Sequence, residues 1–161
     1  MKFGKISELN LEQKRKQIVQ FVLSREGKNE YTQEEENRYR VDSGFSDCSS
    51  LVQWAYRKIG IEIGEDTGEQ IKNGVWILRG MECPIERWMQ LGDLLFFATD
   101  YDNGRIERVG HVEMYVGEGQ ISGHGEGCGP LRKNMLEYCK KRNADGKKFI
   151  GVKRYILGAE L

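Results

Sequence analysis

The sequence predicts an α+β fold in which N-terminal helices pack on a central antiparallel β-sheet. Three observations predict it. The apolar period is helical up to Gly60, it shifts to short apolar runs and strict alternation from Leu94 onward, and the later strands are joined mostly by tight turns. Helices first and hairpin-linked strands afterwards give the antiparallel arrangement.

Taken in order, Asn10 is placed to cap a helix through LEQKRKQIVQFVLSREG, with Leu11, Ile18, Phe21 and Val22 on its core side. The segment KNEYTQEEENRYRVDSGFS is polar and rich in turn formers, and reads as a surface loop. Long ordered loops are uncommon unless they have a function, which draws attention to Tyr31 and Tyr39. From Cys48, the residues Leu51, Val52, Ala55, Tyr56 and Ile59 recur at helical spacing, Gln53 and Arg57 fall on the other face, and Gly60 supplies a stop. EDTGEQIKNG suggests a short helix and CPIERWMQLG a turn or short helix. LLFFA is a buried strand, and HVEMYVGEG alternates, opened by His111, with Val112 and Met114 opposite Glu113 and Tyr115. QISGHGEG is its partner across the turn Gly117 to Gly119. PLRKNMLEYCKKRN reads as a helix begun by Pro130, and KFIGVKRYIL as the last strand.

The chain of 161 residues is expected to form a single domain, 1–161, with an N-terminal helix in 1–30, the Cys48 helix in 44–60 and the sheet in 92–157. Lys plus Arg and Asp plus Glu both number 25, so charge gives no argument for a nucleic-acid partner or an anionic membrane. The first residues lack an uninterrupted apolar stretch, so no export signal is expected, and no segment has the length to insert in a membrane. The four cysteines contain no CxxC pair, which weighs against a zinc ribbon or redox dithiol; Cys83, Cys128 and Cys139 read as ordinary buried thiols. Trp54, Trp76 and Trp88 read as core and rim packing, and TDYDN as a solvated turn rather than a calcium loop.

Cys48 stands where its helix begins, behind the turn and cap residues Gly44, Ser46 and Asp47. Partial positive charge and unpaired N–H groups at that end favour a thiolate, which makes Cys48 a candidate nucleophile. Such a nucleophile needs a base and a group to orient that base. The sequence has two histidines, His111 and His124, both on the strands that follow. Adjacent strands place cross-strand neighbours about 5 Å apart, so Cys48, His111 and His124 read as nucleophile, base and orienter, with a solvated loop as the other reading of His124.

SDCSSLVQWAYRKIGI, LGDLLFF and GHVEMYVGEGQISGH, in that order, resemble the NlpC/P60 cysteine peptidases. These are bacterial and phage hydrolases of peptidoglycan stem peptides with a papain-like fold. The resemblance implies that Cys48 is the nucleophile, His111 the base and His124 the third, polar group. It implies a site lined by Tyr31 and Ser49, and a substrate amine received by Asp47, for which helix capping is the competing reading. Gly92-Asp93 matches the turn before the central strand and is structural. The sequence departs from the family in the charged stretch TQEEENRYR after Tyr31 and in Ser50, where glycine is common. The DCSS variant resembles that of phage lytic enzymes, some of which are N-acetylmuramoyl-L-alanine amidases rather than endopeptidases. The partner implied is bacterial peptidoglycan, with no metal or cofactor, acting as a monomer at the cell wall. The route there would be a membrane lesion, a phage tail or a longer protein carrying this domain. A water-bearing zinc on Cys48, His111 and His124, and a non-catalytic wall-binding or tail module, are the competing classes.

Overall fold

In the computed structural model, which describes residues 3–80, 82–125 and 129–157 with side chains from 11 onward, a six-stranded antiparallel sheet lies between two layers of helix. The elements are α1 (Phe3–Ser24), β1 (Glu30–Tyr31), β2 (Phe45–Ser46), α2 (Cys48–Arg57), α3 (Thr67–Gln70) and β3 (Val75–Arg79). There follow β4 (Leu94–Ala98), β5 (Val109–Gly117), β6 (Gln120–His124), β7 (Pro130–Asn134), α4 (Met135–Ala144) and β8 (Phe149–Arg154). Strand order is β3-β8-β4-β5-β6-β7, with β1 and β2 forming a separate parallel pair. No helix among the described residues is long and apolar enough to cross a membrane.

Side-chain alternation along the central strands divides the core in two. Leu94, Phe96, Val112 and Met114 face α1 and α2, where they meet Ile18, Val22, Leu51, Val52 and Ala55. Leu95, Phe97, Tyr115 and Ile121 face the other way and meet Met135 and Cys139 of α4. Both faces of the sheet are thus covered, and β5 carries no solvated face.

Four expectations are corrected. The first helix begins at Phe3, so Asn10 lies inside α1 rather than capping it. The stretch from Pro130 is an edge strand, and α4 begins only at Met135, capped by the Asn134 side chain, which accepts from Glu137 N at 2.9 Å. Proline is tolerated there because the first residue of an edge strand need not donate to a ladder. Trp76 lies on β3, a strand unforeseen in the sequence, between the cationic groups of Arg79 and Lys153. Gln53 is fully buried rather than outward, its amide donating to Glu62 at 3.0 Å.

The turn into β4 fixes the helical layer to the sheet. Asp93 is buried and receives Arg154 in a bidentate pair at 2.8 Å on each oxygen, with Gln90 N as a third donor at 2.8 Å. The Tyr56 hydroxyl of α2 donates to Gly92 O at 2.5 Å. Gly92 itself has φ +91° and a Cβ there would stand 2.6 Å from Ile18 Cδ1 of α1. Gly92→Ala should therefore cost about 2–4 kcal/mol, from left-handed backbone and overpacking together. Gly146→Ala, at φ +77° with open space around it, should cost only about 1–2 kcal/mol. Urea denaturation compares the two; equal losses would contradict the close approach of α1.

Candidate active site

Cys48 is the first residue of α2, and the chain enters it from β2 through Asp47 in an extended conformation. Asp47 caps the helix in a reciprocal box: its carboxylate accepts from Ser50 N at 2.8 Å, and Asp47 N donates to Ser50 Oγ at 2.9 Å. The same buried carboxylate accepts from Arg38 Nε at 2.7 Å, Arg38 Nη2 at 3.2 Å and Ser49 Oγ at 3.0 Å. Arg38 is buried with it and also donates to Glu65 O at 2.7 Å. Burial alone would raise the Asp47 carboxyl, but these bonds, Arg38 first, outweigh it and hold it below the usual carboxylate range. Of the two readings of Asp47, capping is the one the geometry realises. Oδ1 takes three donors and Oδ2 only Arg38 Nε, and the carboxylate stands in the wall of the cavity beside Cys48.

Cys48 is half-buried, and its surroundings oppose the thiolate that a helix start favours. Burial pushes its thiol up to about 12, and the Asp47 carboxylate adds to the rise against a hydrogen bond from Val112 N–H. The cap takes only Ser50 N–H of the helix start, and removing the thiol proton calls for a base. Val112 is the residue after His111 on β5, so the sulfur lies near that stretch of the strand.

His111 is the third residue of β5, not its first, because the ladder with β4 already begins at Val109 opposite Ala98. Its ring packs 5.9 Å from Phe97 and 6.0 Å from Tyr138, on the α4 side. Its Nε2 meets Glu113 Oε2 at 2.5 Å, and Lys133 Nζ of β7 reaches both oxygens of that fully buried carboxylate, at 3.0 and 2.9 Å. A carboxylate on Nε2 selects the tautomer with its hydrogen there and leaves Nδ1 as the acceptor. Among the described residues no hydrogen bond joins the Cys48 sulfur to His111; such bonds often tighten only when substrate is bound.

His124 does not orient His111. Met114 pairs with Ser122 and Tyr115 with Ile121, so strand alternation puts His124 on the Val112 side and His111 on the other. Its Nε2 pairs with Ser46 Oγ at 2.5 Å, and Ser46 also accepts from the buried Asn29. His124 therefore ties the β1–β2 pair to the main sheet. Tyr31 stacks edge-on against it with ring centroids 5.6 Å apart, away from the Cys48 cavity. The zinc arrangement meets the same obstacle, since the two imidazoles project from opposite faces of the sheet.

Beside Cys48 lies a polar cavity of about 280 Å³, with Arg38, Asp47 and Ser49 in its wall and Tyr39, Glu35, Glu65 and Arg105 around it. Arg105 crosses from the β4–β5 connection to donate to Thr67 Oγ1 at 2.7 Å. Sequence reasoning missed Arg38, Glu113 and Lys133. The charged run around Arg38 reads as solvated, and Glu113 as the polar half of an alternating strand.

The NlpC/P60 family model matches residues 28–141 of this chain. Over 80 residues the chain is 39% identical to the gamma-D-glutamyl-L-lysine dipeptidyl-peptidase of Bacillus cereus, a match covering 49% of this chain and 21% of that protein. Over 79 residues it is 35% identical to the peptidoglycan DL-endopeptidase CwlO of Bacillus licheniformis, covering 49% of this chain and 15% of the relative. The matched part is thus about a fifth of these relatives or less. The structure of NlpC1 from Trichomonas vaginalis superposes with a TM-score of 0.66 over 88% of this chain and 44% of that one, at 24% identity, a likeness of fold.

Removing Arg38 leaves the Asp47 charge buried without its partner, so Arg38→Ala should cost about 3–5 kcal/mol in urea denaturation at neutral pH. The lowered Asp47 carboxyl sets the sign of the acid response. Its contribution is full above the unfolded value near pH 4 and is lost as pH falls through the lower folded value. Arg38→Ala should lose less stability than the wild type between neutral pH and about pH 3; equal acid losses would contradict this.

Proposed function

The chain belongs to the NlpC/P60 family, and from that membership we propose that it is a cell-wall hydrolase cleaving an amide bond of peptidoglycan stem peptides with Cys48 as nucleophile and His111 as base. The observation that carries the proposal is the seat of Cys48 as first residue of α2, in the wall of a polar cavity and near the His111 stretch of β5. Support for the bond comes from the relatives named as a gamma-D-glutamyl-L-lysine dipeptidyl-peptidase and a DL-endopeptidase. We take the D-glutamyl–diamino acid bond as the target.

His111 Nδ1 takes the thiol proton and Sγ attacks the scissile carbonyl carbon. Charge develops on the carbonyl oxygen, where the N–H groups of Cys48 and Ser49 receive it, since the first residues of a helix have no intrahelical acceptor. The amine departs with the proton from His111, leaving a thioester, and water activated by the same ring releases the acid and restores the thiol. A thiol held near 12 contributes little thiolate of its own, so the rate of attack rests on the base. Asp47 in the cavity wall, with Glu35 and Glu65, each 3.4 Å from the Tyr39 hydroxyl, supplies the negative charge suited to an amine of the stem peptide.

Purified peptidoglycan and soluble muropeptides digested with wild type and with Cys48→Ala, followed by mass spectrometry, test this. Wild type should release fragments ending at D-glutamate, and Cys48→Ala should release none while keeping its far-UV circular dichroism. Lysis retained by Cys48→Ala would overturn the nucleophile. Fragments bearing a free L-alanine amine and an intact stem peptide would assign the bond to an amidase instead.

A further inference from the structure

We propose that Glu113 is the positioning residue of His111, and that Gly123 and Lys133 are what allow a carboxylate to stand there. The inference rests on the reading of Cys48 and His111 as nucleophile and base. Strand period places residues 111 and 113 on one face of β5, and the Glu113 carboxylate turns back along that face to reach the ring.

A fully buried carboxylate is costly without compensation. Here the compensation comes from β7, two strands away, across a gap that β6 leaves open. Continuing the register of Met114 with Ser122 sets Gly123 opposite Glu113. A Cβ on Gly123 would stand 3.0 Å from Cδ and Oε1 of Glu113 and 3.1 Å from Oε2. Gly123 has no left-handed backbone to explain its glycine; the position is small because the carboxylate fills the space a side chain would take. Over that space Lys133 Nζ reaches both carboxylate oxygens and also donates to Gly123 O at 3.1 Å.

A buried ion pair is a poor stabilising device in itself. This one leaves Oε2 on the imidazole, where it holds the Nε2–H tautomer, fixes the plane of the ring and faces the positive charge that develops when Nδ1 takes the thiol proton. The same point in space is open to a side chain from either strand: from 113 on β5, or from 123 on β6 if 113 is small.

That exchange provides the test. Glu113→Gln, Glu113→Gly and the double variant Glu113→Gly with Gly123→Glu are compared with wild type by two readouts. One is kcat and KM on a soluble γ-D-glutamyl-diamino acid peptide; the other, which needs no substrate, is the rate at which iodoacetamide alkylates Cys48 at neutral pH, followed on the Cys48 peptide by mass spectrometry. Glu113→Gln and Glu113→Gly should lower kcat about a hundredfold with KM within about twofold, and slow alkylation about tenfold. The double variant should recover about tenfold in kcat over Glu113→Gly. Unchanged kcat and alkylation in Glu113→Gln, with only a lowered melting temperature, would make the group a structural ion pair and overturn the proposal. Should Glu113→Gly fail to fold, the isosteric Glu113→Gln decides. A wild type that cleaves no stem peptide would overturn the substrate reading alone, and the alkylation rates would still decide the role of Glu113.

Discussion

The side-chain alternation of β5 is the constraint on which the rest of the site depends. One strand sends Val112 and Met114 into the core beneath α2, and sends His111, Glu113 and Tyr115 to the layer under α4. Its backbone N–H at Val112 favours the thiolate of Cys48. The nucleophile thus arrives on the start of a helix packed on one face, and the base is held by its neighbour of like parity on the other. A slip of one residue in the β4–β5 ladder would exchange the two faces, turning His111 and Glu113 under α2 and Val112 and Met114 under α4.

Among the described residues, buried charge holds two element ends and one side chain that regular hydrogen bonding leaves unfixed. Asp47 with Arg38 holds the start of α2, Asp93 with Arg154 the turn into β4, and Glu113 with Lys133 the ring of His111. Desolvation makes such pairs weak sources of net stability, whereas loss of one partner is costly. They act as fixed points of orientation. Their carboxylates also set the electrostatics at the sulfur: Asp47 and Glu113 both disfavour the thiolate, after burial as the first cause.

Much of this was legible in the residues. The Cys48 helix, the Gly92-Asp93 turn, the β4 strand and the β5–β6 hairpin follow from period and turn chemistry. The Pro130 stretch reads as helix because its charged residues fit either period, while the register that makes it an edge strand is a tertiary fact. Spacing across a hairpin suggests His124 beside His111, but it fixes proximity only once the register is known; Gln120 against Gly117 sets it here and brings His124 to Ser46. Glu113 was hidden for a different reason. An acidic residue between Val112 and Met114 signals a strand with one solvated face, and only the packing of α4 on that face makes it buried.

The most direct test of the central claim is covalent trapping. A γ-D-glutamyl stem peptide carrying a diazomethyl ketone in place of the scissile amide, incubated with the intact protein and mapped by tandem mass spectrometry, should give a single adduct on Cys48 that forms far more slowly in His111→Ala. Labelling of Cys83, Cys128 or Cys139 in its stead, or equal labelling of Cys48 without His111, would contradict the pairing of this nucleophile with this base.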